Sequence, residues 1–534
     1  VTRTEPAGTP LGDEFHLYDT TLRDGAQREG ISYSVADKLA VARLLDELGV
    51  GFIEGGWPGA LPKDTEFFAR AARGELELKH AALVAFGSTR KAGTTADKDA
   101  QVKALLDSAA PVVTLVAKSD RRHIERALRV DVAEACAMVS DTVSFLVREG
   151  RRVFLDAEHF FDGYGYDPDT ALRVLDAAAS AGADVVVLCD TNGGQLPLGL
   201  AETVREVKAR TGFRLGIHCQ DDTSCAVANS VAAVQAGATQ VQCTANGYGE
   251  RAGNADLFAV TGNLVAKLGM DVLPTGGAAE LTRVSHALAE IANIAPDTHQ
   301  AYVGASAFAH KAGLHASAIK VDPLLYNHID PFSVGNDMRV LVTEMAGRAS
   351  LELKGRELGV DLAGRPEALT SAIDKVKRLE AEGWSFEAAD ASLELLLRRE
   401  AGEHLDDVPF TLESYRVVLD HRGDGEVISE ATVKVHVKGE RVIETAEGNG
   451  PVHALDAALR KALSPYLSWL DTVELADYKV RILAGHPGTD ATTRVLITSS
   501  DGDREWTTVG VHPNIVEASW LALCDALVHK NLRG

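Results

Sequence analysis

Cysteine is scarce. Six residues, at positions 136, 189, 219, 225, 243 and 524 of a 534-residue chain, are too few and too scattered for a disulfide framework, and none share Cys-x-x-Cys spacing. They read as reduced thiols in a cytoplasmic protein. No apolar run approaches the roughly 18 residues that a membrane span needs. Positive charge is also short. The chain has 54 Lys and Arg against 77 Asp and Glu, a net charge of −23, which argues against nucleic acid and anionic membranes as partners. An anionic substrate must therefore find a local nest of arginine, metal or backbone N–H groups. The opening 1–14 stretch is polar and rich in Pro, Gly and Thr, and reads as a disordered leader without a signal peptide.

What is present is a repeated unit. Short apolar runs at 15–19, 51–55, 81–86, 112–117, 152–156, 184–189, 213–218 and 240–244 are each followed by a polar turn and a helical stretch. Strands that alternate with helices give a parallel sheet, and eight such units can close a (β/α)8 barrel over 15–270. Barrel enzymes place their chemistry just after the strands. The helical stretches carry clear apolar periodicity, as over 35–48 with Leu39, Val41, Leu44, Leu45 and Leu48.

The rhythm stops after residue 270. A linker over 271–405 reads as helices at 281–294, 341–358, 367–382 and 385–398, with little room for a core of its own. From 408 to 534 the pattern is strand-strand-strand-helix, given twice, which predicts a duplicated α+β domain. Each helix follows a glycine-bearing turn, Gly448-Asn449-Gly450 and Gly510-Val511-His512-Pro513. Free N–H groups at such helix starts suit carboxylates, although simple capping explains them equally well. The whole is an α/β chain: a barrel, a helical linker and a duplicated α+β domain.

Chemistry-bearing residues gather at the strand ends. Asp24 follows the first strand and His218 ends the seventh, neighbours but one around a closed barrel. Gln220, at i+2 from His218, can face the same way. Asn254, after the eighth strand, offers an amide oxygen. An oxygen-rich set with one imidazole suits Mg²⁺ or Mn²⁺ at least as well as Zn²⁺. Arg23, beside Asp24, is placed to stabilise an oxyanion or bind a carboxylate.

These residues carry a resemblance. The segment from Leu17 through Asp19-Thr20-Thr21-Leu22-Arg23-Asp24-Gly25 to Gln27 resembles the signature of the DRE-TIM metallolyase superfamily, which includes isopropylmalate, homocitrate and citramalate synthases. Gly55-Gly56-Trp57-Pro58-Gly59 and Asp156-Ala157-Glu158-His159-Phe160-Phe161-Asp162-Gly163 are similar to the citramalate branch. Asn246-Gly247-Tyr248-Gly249-Glu250-Arg251-Ala252-Gly253-Asn254 matches the motif after strand eight, and Phe308-Ala309-His310-Lys311-Ala312-Gly313-Leu314-His315 a segment past the barrel.

The resemblance implies a Claisen condensation of acetyl-CoA with an α-keto acid, pyruvate foremost, in isoleucine biosynthesis. It implies a divalent metal held by Asp24 and His218 with Gln220 and Asn254 near it, and catalytic roles for Arg23 and Glu158. Thr191, with Arg23 and Asp24, would contact the keto acid. It also implies a homodimer in which His315 and Tyr326 serve the partner's site, and an amino-acid effector, isoleucine, at the C-terminal domain.

Two departures matter. Where the family has His-x-His-Asn-Asp, this chain has His218-Cys219-Gln220-Asp221-Asp222, so Gln220 either ligates as a harder donor or yields to water. Lys118-Ser119-Asp120 replaces an expected Lys-Ser-Trp, which leaves another keto acid open. A metal-dependent aldolase or lyase and an inactive amino-acid sensor are the rival classes. The C-terminal duplication counts against the first. The intact Arg23, Asp24, Glu158, His218 and His315 count against the second.

Overall fold

The computed structural model describes residues 14–362, 364–403, 410–421, 423, 425–483 and 491–533. The expected leader lies outside these except for Glu14. The chain divides into two units, Val1–Phe308 with Ile329–Asp337, and Ala309–His328 with Met338–Gly534.

In the first unit eight parallel strands close a barrel in sequence order: β1 (His16–Asp19), β2 (Phe52–Gly56), β3 (Ala82–Ser88), β4 (Val112–Lys118), β5 (Arg152–Glu158), β6 (Val185–Asp190), β7 (Leu215–Cys219) and β8 (Gln240–Cys243). Closure comes from β1 against β8, with Tyr18 opposite Gln242. All eight fall where the apolar runs place them. The helix Val35–Leu48 matches its expected bounds because its ends are specified locally. Ser34 and Asp37 form a reciprocal capping box, and Gly49 ends the helix in a left-handed conformation. The helix expected over 281–294 stops at Ile291, and Asn293 takes a positive φ two residues later. The barrel interior is filled: Tyr18, Phe52 and Phe154 are fully buried, and Tyr18 Oη and Thr114 Oγ1 share a 2.8 Å hydrogen bond. This packed layer is a floor, so the barrel is a core and not a pore.

The second unit corrects two expectations. The helix expected over 341–358 spans only Arg348–Glu357. Just before it, β10 (Arg339–Val340) pairs in parallel with β9 (Ala309–His310), and Leu341 N donates to His310 O. The linker also has a real core. Leu351, Leu369, Ala372, Val376, Phe386, Leu393 and Leu397 bury together, joined by Val509 and Val511. Spacing alone hid this core because its last members come from a strand more than a hundred residues later.

The duplicated domain is as patterned. Strands β11 (Thr411–His421), β12 (Val427–Val437) and β13 (Glu440–Gly448) form an antiparallel sheet and lead into the helix Pro451–Leu463. Strands β14 (Glu474–Ile482), β15 (Thr493–Ser500) and β16 (Glu505–His512) repeat this before the helix Ile515–Arg533. Alternate β12 residues Ala431, Val433, Val435 and Val437 bury against Ala454, Leu455, Ala458, Leu459 and Leu463 of the first helix. The two helix starts differ. Asn514 Oδ1 accepts from Val516 N and Glu517 N, so the second turn is capped from within. At the first, Gly450 has no side chain to do so.

A buried charge cluster ties this unit together. Glu394, 1% exposed, accepts hydrogen bonds from Arg398 Nε (2.8 Å), Arg533 Nη2 (2.7 Å) and His529 Nε2 (3.1 Å). Burial alone would raise its pKa, but these three donors bring it down to about 2. A depressed carboxylate stabilises the fold fully above its unfolded value, and that contribution drains as pH falls toward the folded one. Thermal melting from pH 5 to pH 2 should therefore show a steep acid limb. Glu394→Gln should lower the melting temperature at pH 7 and flatten that limb. An unchanged limb in the variant would contradict the assignment.

Candidate functional site

The strand ends on the carboxyl side of the barrel surround a cavity of about 660 Å³. Its polar wall includes Arg23, Asp24, Asp156, Glu158, Thr191, His218 and Gln220, and its apolar wall includes Phe86, Leu128, Val130, Met138 and Val139.

The loop after β1 is fixed before it reaches the cavity. The Asp19 carboxylate accepts from Thr21 N and Thr21 Oγ1, both at 2.8 Å, and Thr21 Oγ1 in turn accepts from Ala245 N at 2.7 Å. That brace aims Arg23 and Asp24 inward. Arg23 lies between two carboxylates: Nε and Nη2 donate to Glu54 (3.1–3.3 Å), and Nη1 donates to Asp24 Oδ2 (2.6 Å). Its guanidinium stacks 3.9 Å above the Phe86 ring. Burial works against the charge, but Glu54 and Asp24 outweigh it and hold the proton more firmly than water does. For Asp24, burial alone would raise the pKa. Arg23, His218 and hydrogen bonds from Asn254 and Gln220 together hold it below the ordinary carboxylate value.

Around Asp24 the four expected ligand residues come together. His218 Nε2 is 3.7 Å from Asp24 Oδ2, Gln220 Nε2 is 3.4 Å from His218 Nε2, and Asn254 Nδ2 donates to Asp24 Oδ1 at 3.0 Å. Two oxygens in this cluster, Gln220 Oε1 and Asn254 Oδ1, are buried without a hydrogen-bond partner. Buried acceptors left unpaired cost free energy unless something else occupies them. Among the described residues no three His, Cys, Asp or Glu side chains converge as a metal site, since half of this cluster is amide.

Glu158 and Thr191 line the same cavity. Glu158 is ion-paired with Lys118, and Thr191 Oγ1 accepts from His159 N at 2.8 Å. His315 and Tyr326 belong to the second unit. There their rings stack at 4.1 Å, next to His310. Sequence reading missed Glu54, Asp156 and Gln242. Their signal was a charge or amide inside an otherwise apolar barrel strand, where alternation points the side chain inward. Burial, and then the charge of Glu54, push Asp156 up to about 7.

Comparison with known proteins separates the segments. An HMGL-like family model matches residues 14–288, a homocitrate synthase post-HMGL domain-like model 302–383, and a LeuA allosteric (dimerisation) domain model 387–530. The chain is 63% identical over 528 residues to an (R)-citramalate synthase of Streptomyces coelicolor, covering 99% of this chain and 98% of the relative. It is 47% identical to the Aquifex aeolicus (R)-citramalate synthase, covering 98% and 99%. The chain belongs to the (R)-citramalate synthase family. A 2-isopropylmalate synthase of Shewanella amazonensis is more distant, at 32% identity over 97% of this chain and 95% of that one.

In this citramalate synthase family chain, backbone bonds pin the end of β7 to the loop after β8. Asp221 N donates to Gly253 O at 2.9 Å, and Ala255 N donates to Cys219 O at 3.1 Å. Gly253 lets this loop fold back on itself, with φ +100° and any Cβ there only 2.1 Å from Gly247 O. Gly253→Ala should therefore cost the barrel about 1–3 kcal/mol. Denaturant unfolding followed by a barrel-specific probe tests this, and a change under about 0.5 kcal/mol would contradict the close approach.

Proposed function

We propose that this chain condenses acetyl-CoA with pyruvate to give (R)-citramalate and free CoA, as an entry to isoleucine. The observation that carries the reading is the pair of unpaired buried amide oxygens beside Asp24 and His218, in a chain alike from end to end to proteins named (R)-citramalate synthase. Asp24, His218, Gln220 and Asn254 fit a divalent cation. One carboxylate, one imidazole and two amide oxygens favour Mg²⁺ or Mn²⁺, and Zn²⁺ fits less well for want of a second imidazole. Such a cation, when bound, polarises the keto carbonyl as a Lewis acid.

The remaining work falls to side chains. Arg23 is held by Glu54 and the Phe86 ring, so its charge faces the developing alkoxide without reorganisation. Thr191 Oγ1 accepts from His159 N, which leaves its own proton free for the keto-acid carboxylate. Glu158 orders the water that later cleaves the thioester. His315, supported by Tyr326, removes a proton from the acetyl methyl of the substrate bound in the partner subunit of a homodimer. The carbanion attacks the keto carbon, and the alkoxide takes up a proton. Water then cleaves the thioester, which releases CoA as a thiol and makes the sequence irreversible. Isoleucine is the proposed effector. Its carboxylate would bind at the uncapped Gly448–Gly450 turn of the C-terminal domain. The protein is proposed to work in the cytoplasm. No helix among the described residues is long and apolar enough to cross a membrane.

A second reading, a branched keto acid as acceptor, is favoured by one observation. Leu128, Val130, Met138 and Val139 give the cavity an apolar wall that would suit a branched side chain.

Two measurements test the proposal. Thiol release from acetyl-CoA across a panel of keto acids should favour pyruvate over 2-oxoisovalerate by at least about tenfold, and exhaustive chelation should abolish it. A preference for 2-oxoisovalerate would select the second reading, and release that survives chelation would contradict the cation. His315→Ala should slow turnover by about 10²–10⁴-fold. Mixing it with inactive Asp24→Ala subunits should restore part of the activity. Confirmed subunit exchange without recovery would place His315 outside the partner's site.

A further inference from the structure

One buried interaction is not used by the proposed chemistry. Gln242 lies on β8, 1% exposed, and directs its amide into the barrel interior at two buried groups, His218 on the adjacent β7 and Asp156 on β5. Gln242 Nε2 donates to Asp156 Oδ1 at 2.8 Å. Its other end, Oε1, lies 2.7 Å from His218 Nδ1. The two contacts constrain one another. An amide whose nitrogen is committed to a carboxylate can offer only its oxygen to the imidazole, so the proton must sit on His218 Nδ1. The imidazole lone pair is then on Nε2, the atom that faces Asp24 at 3.7 Å.

We propose that Asp156 and Gln242 are positioning residues: a fixed Asp156–Gln242–His218 relay selects the histidine tautomer whose Nε2 lone pair points into the Asp24, Gln220 and Asn254 cluster. The inference rests on the cation reading above and adds residues to which that reading gives no role. A buried partner behind a ligating histidine fixes both ring orientation and tautomer. Here the partner is a neutral amide, with the carboxylate one bond further back. The arrangement keeps the Asp156 charge one residue removed from a cluster that already contains Asp24. If Gln242 were free to rotate, its nitrogen could face Nδ1, and the proton would move to Nε2, where it blocks coordination.

The test uses the full-length chain and Mn²⁺ alone, read by titration calorimetry and by pulsed EPR for ¹⁴N coupling from a coordinated imidazole. Gln242→Met keeps the volume and removes the acceptor. It should weaken Mn²⁺ binding about 10–100-fold and reduce the ¹⁴N coupling, while the thermal midpoint stays close to that of the parent. Asp156→Leu removes the acceptor that commits the Gln242 nitrogen and should weaken Mn²⁺ binding in the same direction, by about tenfold. Gln242→Asn, which draws the acceptor back by one methylene, provides the same test should the methionine variant fail to fold, and it should show the same loss. Parent-like affinity and coupling in either Gln242 variant would overturn the relay and leave the cation site standing. A parent chain that binds no Mn²⁺ would instead overturn the cation reading, and the relay with it.

Discussion

The buried pairing of Arg23 with Glu54 is the constraint on which the rest of the site depends. Glu54 is fully buried on β2, and a lone carboxylate there would be severely destabilising. Arg23 is the cation that satisfies it, through three contacts of 3.1–3.3 Å. The same guanidinium reaches Asp24 with its remaining edge. One arginine therefore sets the position of the next carboxylate, and that carboxylate organises His218 and Asn254. Removing Glu54 would leave Asp24, already 2.6 Å from Nη1, as the guanidinium's one hydrogen-bonded carboxylate, with the Arg23 charge no longer shared.

The surrounding fold keeps that geometry in place. The aromatic floor of Tyr18, Phe52 and Phe154 prevents the site from sinking into the barrel. Backbone bonds between the β7 end and the β8 loop hold Gln220 and Asn254 in register, where they also meet as an isolated bridge. These supports come from different strands far apart in the chain, so the site is rigid only when the barrel closes. The second unit has its own core and its own ion cluster at Glu394.

Much of this was legible from sequence, for physical reasons that differ by element. Barrel strands declared themselves because each is a short apolar run between polar turns, and the duplicated domain because its pattern occurs twice. The helix Val35–Leu48 was legible from its apolar periodicity, and its ends held because a capping box and a glycine stop are local. Asp24, His218, Gln220 and Asn254 could be grouped because strand ends share one face. What could not be read were contacts without sequence periodicity. The linker core borrows Val509 and Val511, the chain at 339–341 is drawn into a two-strand ladder that delays the helix to Arg348, and Asn514 spends N–H groups of the second helix start. Glu54, Asp156 and Gln242 were visible as polar residues in apolar strands, but their partners were not.

Metal binding here turns on the ligand set around Asp24. X-ray absorption at the metal edge, on the full chain loaded with one equivalent of Mn²⁺ and with pyruvate present, reads that set without reference to turnover. The expected spectrum has a first shell of oxygen with a single imidazole, from His218, and no sulfur. A shell with two imidazoles, or with thiolate from the nearby Cys189 or Cys219, would contradict it.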